Sequence, residues 1–137
     1  MKPNDNATRF ELVPYFHGRI LDVSEGASRA YPHFISHLDC RIDDPVKLGI
    51  FADKSLDGVC SSYLLHLMSL DDCKAALKEW ARVVRPGGHI MIHLPLKHEK
   101  ALWDVSYDQI VELMDVVPDW DMVKHLETED LLSVFKL

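Results

Sequence analysis

The chain has 137 residues, 47% of them hydrophobic and 27% charged, and a formal net charge of −7. That is the size and balance of one globular domain spanning residues 1–137, large enough to bury a core without cross-links. The acidic charge argues against a nucleic-acid backbone as main partner, because phosphate binding needs a basic stripe. No apolar run of about 18 residues occurs, so no membrane span is expected. The opening MKPNDNATRF is too polar for a signal peptide, which points to the cytoplasm. The three cysteines, Cys40, Cys60 and Cys73, are odd in number and lack CxxC spacing. They read as buried or incidental thiols, not as a disulfide framework or zinc ribbon.

Along the chain, Thr8–Phe16 carries a short helical pattern of Phe10, Leu12, Val13 and Phe16, closed by Pro14 and Gly18. Arg19–Ser24 (RILDVS) is an apolar run between Gly18 and a small-residue turn, the signature of a buried parallel strand. Tyr31–Asp39 reads as a turn and a second short strand ending at Asp39. Pro45 and Gly49 make Ile42–Asp53 a loop, and Asp57–Ser62 is the next strand.

Ser69–Arg85 is the clearest helix. Ser69 and Asp72 form a start like a capping box, and Leu70, Cys73, Leu77, Trp80, Ala81 and Val84 make one apolar stripe. Arg82 and Arg85 are expected in its last turn, complementing the dipole, with Pro86-Gly87-Gly88 as the stop. His89–Leu94 is a strand turning at Pro95. Ser106 and Gln109 cap a second helix whose apolar face is Ile110, Leu113, Met114 and Val117. Two strands near Asp121–Glu127 and Leu131–Leu137, joined by Thr128-Glu129-Asp130, form an antiparallel hairpin. Strands alternating with helices imply an α/β fold with a mainly parallel sheet, and the hairpin adds one antiparallel strand.

Three stretches carry a family likeness over about Arg19–Leu137. They are RILDVSEG (Arg19–Gly26), FADKSLDGVCSSYLLHL (Phe51–Leu67) and, most specific, LKEWARVVRPGGHIMIHLP (Leu77–Pro95). The sequence resembles the class I S-adenosylmethionine-dependent methyltransferases, in a small, shortened form with a depleted glycine motif. Within that family it is similar to the small methyltransferases associated with bacterial surface-polysaccharide gene clusters. The resemblance implies a Rossmann-like methyltransferase fold with a C-terminal antiparallel hairpin, S-adenosylmethionine as cofactor, and a small-molecule or saccharide acceptor.

It also implies roles for particular residues. Asp22, near the end of the first strand, would reach the methionine end of the cofactor. Ser24 stands at the first glycine position and Gly26 at the second, where a missing Cβ lets backbone approach a ligand. Glu25 adds a charge where a small or hydrophobic residue is common. Asp39 would accept hydrogen bonds from the ribose hydroxyls, and Asp44, with Asp43 as an equal rival, would meet the adenine. Ser61, Ser62 and Tyr63 follow the strand at the edge where methyl transfer takes place. The polysaccharide-associated relatives tend to carry a His or Glu-His pair shortly after; here Tyr63-Leu64-Leu65-His66 leaves His66 alone as a general base toward an acceptor hydroxyl, with Tyr63 beside it.

The pairs His33/His37 and His93/His98 lack third and fourth ligands at convincing spacing, so no metal is expected. Trp103 and Tyr107 fall where acceptors dock, while Trp80 belongs to the core stripe. Two functions remain open at this stage. One is methyl transfer. The other is a catalytically inactive methyltransferase-like binding or scaffold domain, favoured by the depleted loop and by a segment between Gly26 and Phe34 too short for a full helix. A truncated fold that exposes an apolar face would also allow a homodimer.

Overall fold

The computed structural model describes Tyr15 and residues 18–24, 36–39 and 44–137. The helix expected at Thr8–Phe16, the turn from Glu25 to Tyr31, Cys40 and Asp43 lie outside the described residues, apart from Tyr15. The strands are β1 (Ile20–Ser24), β2 (Ser36–Asp39), β3 (Leu56–Ser62), β4 (Val84–Pro95), β5 (Asp121–Glu127) and β6 (Asp130–Lys136). The helices are α1 (Leu70–Val83) and α2 (Tyr107–Leu113), with single 3-10 turns at Leu65–Leu67 and Met114–Val116.

The sheet has six strands in the order β2-β1-β3-β4-β6-β5. β1 pairs in parallel with β2 and β3, and β3 with β4; β6 is antiparallel to both β4 and β5. The mainly parallel α/β sheet expected from the strand–helix alternation is therefore present, hairpin included, and with it the Rossmann-like architecture that the resemblance implies. From β1 the chain steps outward to β2, then crosses back to β3 on the other side. That reversal is a topological switch point, and in open α/β sheets ligands bind beyond the carboxyl ends of the strands there. Those ends are Ser24 on β1 and Ser62 on β3.

Both helices begin as their sequences require. The Ser69 hydroxyl accepts Asp72 N–H at 3.1 Å, and the Ser106 hydroxyl accepts Gln109 N–H at 3.1 Å. Each bond satisfies one of the orphan donors of a helix start. α1 buries Cys73, Ala76, Leu77, Trp80 and Val83 against the sheet. The stripe is rotated slightly from the expected one, since Leu70 and Ala81 pack only at its margin. Trp80 is core, as expected, with its Nε1–H donating to Pro45 O at 2.9 Å. α2 and the turn after it bury Ile110, Leu113, Met114 and Val117 in the same cluster, beside Val59, Ile90, Ile92 and Phe135. The other face of the sheet holds Ile20, Cys60, Met91, Leu132 and Val134, with Tyr15 packed against them. Cys60 and Cys73 are free and buried, and burial pushes both thiols up, Cys73 to about 12.

Pro86-Gly87-Gly88, expected as a stop ahead of a strand at His89–Leu94, lies inside β4, and two further boundaries differ from expectation. α1 ends at Val83, and Arg85 sits in β4, not in the helix. Val84 is already extended (φ −85°, ψ 133°) because it pairs with Leu56 of β3. Arg85 instead forms a 2.6 Å ion pair with Asp57. Gly88 is required by this close approach: a Cβ there would stand 2.5 Å from Val84 Cγ1 and 2.6 Å from Asp57 O. Arg82 does lie in the last helical turn, where it also joins Glu79 and Asp53 (2.7 Å each) to the carbonyls of Leu48 and Phe51. The hairpin is the second difference. Asp130 is the first residue of β6 and not part of the turn, leaving Thr128 and Glu129 as the connection.

Candidate functional site

At the switch point, β1 delivers Asp22 and Ser24 and β3 delivers Ser61 and Ser62. All four are at most 1% exposed. Ser24 Oγ donates to Asp22 Oδ1 and accepts the Ser62 N–H at 3.0 Å. The serine at the first glycine position therefore knits β1 to β3 and orients the acid. The hydroxyls of Ser61 and Ser62 have no hydrogen-bond partner among the described residues. Buried polar groups without partners are rare in folded proteins and call for a ligand or water. Ser62 shares a face of the sheet with Asp22 and Ser24, and its hydroxyl with that buried carboxylate suits a ligand that carries both an ammonium and hydrogen-bond acceptors.

The chain then turns sharply. Tyr63 has φ +55°, a left-handed conformation that non-glycine residues seldom adopt. Its N–H donates to His93 O at 2.8 Å, its ring stacks on His93 (centroids 5.1 Å, planes 26° apart), and its hydroxyl donates to Asp130 Oδ2 at 2.5 Å. His93 Nε2 lies 3.1 Å from the same carboxylate oxygen. Burial pushes His93 below the usual imidazole range although Asp130 pulls the other way, so its Nε2–H donates from a neutral ring. Burial and the neighbouring carboxylates push the Tyr63 phenol well up.

Next, the Leu65–Leu67 turn carries His66, which is 1% exposed. Its Nδ1 has no partner among the described residues. Its ring meets that of His98 edge-on (4.8 Å, 78°), and burial, aided by His98, pushes it down to about 4. The turn is gripped from outside. Trp103 Nε1–H is shared between Leu65 O (3.0 Å) and Met68 O (3.1 Å), Cys73 Sγ–H donates to Leu65 O, and Leu102 N–H donates to His66 O at 2.8 Å. Trp103, expected to dock an acceptor, is thus a clamp beneath His66. Tyr107 packs on His125 (4.6 Å).

A cleft of about 550 Å³ opens at this edge, lined by Tyr63, His66, Leu67, Pro95, His98, Glu99 and Lys100. Its size suits a small molecule. A larger groove of about 800 Å³ lies at the opposite, amino-terminal edge, between α1 and Val116–Asp119. The carboxyl-edge cleft is the better candidate, because Tyr63 and Pro95 of its lining stand at the carboxyl ends of β3 and β4, where ligands of open α/β sheets bind.

The structure joins Asp22 to Ser24, places Ser61 at the same strand edge but on the opposite face of the sheet, and puts Tyr63 and His66 in one cleft. Register pairs Asp39 with Ser24, which puts it at the same strand edge. Asp44 is exposed; its carboxylate accepts Val46 N–H at 2.9 Å, in a turn tied through Pro45 O and Leu48 N to the C-terminal half of α1. Gly26, Glu25, Asp43 and His33 lie outside the described residues. His93 stacks on Tyr63 and His98 meets His66, and among the described residues no cluster of three or more metal-ligating side chains occurs. Ser62's partnership with Ser24, and Asp130 beneath Tyr63, were not assigned from the sequence. The PGG passage and the hairpin mark the strands involved, but nothing local marks the contacts.

Comparison with known proteins agrees with the geometry. The profile of the methyltransferase domain family matches residues 17–92, more than half of the chain. An S-adenosylmethionine-dependent methyltransferase from Archaeoglobus fulgidus superposes with a TM-score of 0.71 at 12% identity, over 96% of this chain and 92% of that one. The 1,6-didemethyltoxoflavin-N1-methyltransferase of Burkholderia thailandensis, solved with 1,6-didemethyltoxoflavin and S-adenosylhomocysteine, gives 0.69 at 14%, over 85% and 69%. The T. thermophilus 16S rRNA N2 G1207 methyltransferase, in complex with AdoMet and guanosine, gives 0.60 at 15%, over 88% and 35%. No curated protein matches in sequence. At these identities the superpositions speak to the fold, whereas the profile match speaks to descent: the chain belongs to the class I S-adenosylmethionine-dependent methyltransferase family.

Proposed function

We propose that the protein transfers a methyl group from S-adenosylmethionine to a hydroxyl or amine of a small-molecule acceptor, saccharides included, held in the Tyr63–His66–His98 cleft. The observation that carries this reading is a neutral, buried His66 in a cleft that opens at Tyr63, the residue following Ser62 at the carboxyl end of β3. When bound, S-adenosylmethionine supplies an electrophilic methyl group on a sulfonium sulfur.

The chain's own residues do the rest. Asp22 meets the ammonium of the methionine moiety, with Ser24 orienting its carboxylate. Ser61 and Ser62 offer their unpaired hydroxyls to the ligand's polar groups. As the resemblance implies, Gly26 lets backbone approach the methionine tail and Asp39 accepts from the ribose hydroxyls. Asp44, exposed and accepting Val46 N–H through Oδ1 alone, is the acid that the resemblance puts toward the adenine. His66, unprotonated at neutral pH, accepts the proton of the acceptor group or orients its lone pair toward the methyl. Holding the two partners in line supplies most of the acceleration, so no metal or covalent intermediate is needed.

The test is methyl transfer from labelled S-adenosylmethionine to a panel of small alcohols, phenols, amines and sugars. Replacement His66→Ala should slow transfer by about 10²-fold or more while leaving cofactor affinity within about twofold. Unchanged transfer in that variant would remove His66 from the chemistry.

A further inference from the structure

We propose that Asp130 is the positioning residue of the acceptor cleft: at the start of β6, its carboxylate holds the Tyr63 hydroxyl and the His93 imidazole together and so fixes the Tyr63 ring as a wall of the cleft. The inference rests on the functional reading above and deepens it, since it makes the C-terminal hairpin part of the site.

The backbone at Tyr63 needs such a device. A left-handed conformation strains a non-glycine residue, and strain of this kind persists only where the surroundings over-determine it. Here three contacts do so. The Tyr63 N–H is spent on His93 O, the ring is stacked on His93, and the hydroxyl is spent on Asp130. All three lead to β4 and β6, the neighbouring strands on one side of β3.

Asp130 is the common point. It is 8% exposed and takes donors from both Tyr63 and His93, which is 2% exposed. A buried carboxylate is tolerated when hydrogen-bond donors satisfy it, and removing one of them leaves it under-satisfied. The His93 tautomer follows from its other nitrogen. Nδ1 has no partner among the described residues, so it carries the lone pair while Nε2–H faces Asp130. The groups facing Tyr63 are therefore Asp130 and Glu129 from the hairpin, His93 from β4, and His66 edge-on at 6.4 Å, itself against His98. Both carboxylates oppose ionisation of the phenol. Tyr63 is thus a fixed, protonated wall and not a base, which leaves proton acceptance to His66.

The experiment compares the wild type, Tyr63→Phe, Asp130→Asn and the double variant. Tyrosine ionisation is followed by ultraviolet absorbance, and each Tyr63→Phe counterpart isolates the Tyr63 signal. In the wild type Tyr63 should ionise well above the model-peptide value of about 10, and in Asp130→Asn it should fall back toward it. The amide hydrogen of Tyr63 should exchange about tenfold faster in Asp130→Asn, with the α1 amides unchanged. A purely structural Asp130 would leave the ionisation where it was, or would speed exchange throughout the protein, and either result overturns the proposal. If Asp130→Asn does not fold, Tyr63→Phe decides: it should speed exchange at position 63 alone, and unchanged exchange there contradicts the clamp. Calorimetry with S-adenosylmethionine on the same proteins separates the two levels. Absence of binding by the wild type refutes the functional reading, while ionisation and exchange still decide the clamp.

Discussion

The hydroxyl of Ser24 accepts the backbone N–H of Ser62 at 3.0 Å, and this bond joins the carboxyl ends of β1 and β3 at the switch point of the sheet. The same hydroxyl donates to Asp22. A residue that stands where the resemblance leads one to expect a glycine therefore builds the site.

Ser24→Ala should consequently weaken the protein by about 1–3 kcal/mol, since it leaves the Ser62 N–H buried without an acceptor and frees the Asp22 carboxylate from its donor. Urea denaturation measures this. A loss within about 0.5 kcal/mol, the range of an ordinary surface change, would mean that water or another group takes over.

The pH dependence of stability should carry the signature of His66. In the folded protein burial and His98 push it down to about 4, whereas the unfolded chain titrates near the model value of 6.5. Above about 6.5 both states are neutral and the group contributes nothing to the slope. As pH falls, the unfolded chain takes up a proton first, so stability is lost progressively between about 6.5 and 4. The loss is on the order of 2–3 kcal/mol. His93, also pushed down by burial, adds in the same direction. Denaturation at pH 7 and pH 4.5 should show a smaller difference for His66→Gln than for the wild type. Equal differences would mean that His66 is already solvated.

Trp103 should act on His66 without touching a ligand. Trp103→Phe keeps the ring in the core but removes the N–H shared by Leu65 O and Met68 O. The expected loss is about 1–2 kcal/mol. Hydrogen exchange should rise at Leu67 N and Met68 N, which close the turn on Leu64 O and Leu65 O. If those two amides stay as protected as in the wild type, Leu102 and Cys73 hold the turn by themselves.

Much of the fold was legible because it rests on local pattern. Ser69 and Ser106 cap helices in the way their spacing predicts. Ile110, Leu113, Met114 and Val117 face inward at helical period, and ILDVS is buried throughout β1. The errors fall where tertiary pairing overrides local preference. Arg85 looks like a helix-terminal cation, but pairing with β3 pulls Val84 and Arg85 into β4, and Asp57 takes the charge. Asp130 looks like a hairpin turn residue, because its partners Tyr63 and His93 are remote in sequence and meet it only once β3, β4 and β6 lie side by side. Trp103 looks like an acceptor platform for the same reason: the carbonyls that claim its N–H belong to a turn 35 and 38 residues earlier.

The central claim is that the edge bearing Asp22, Ser61 and Ser62 holds S-adenosylmethionine, and isothermal titration of the whole chain with that compound tests it most directly. The account predicts a dissociation constant in the micromolar range, about −8 kcal/mol, weakened about tenfold or more by Asp22→Asn. No heat and no thermal shift with the wild type at millimolar concentration, or full affinity in Asp22→Asn, would contradict it.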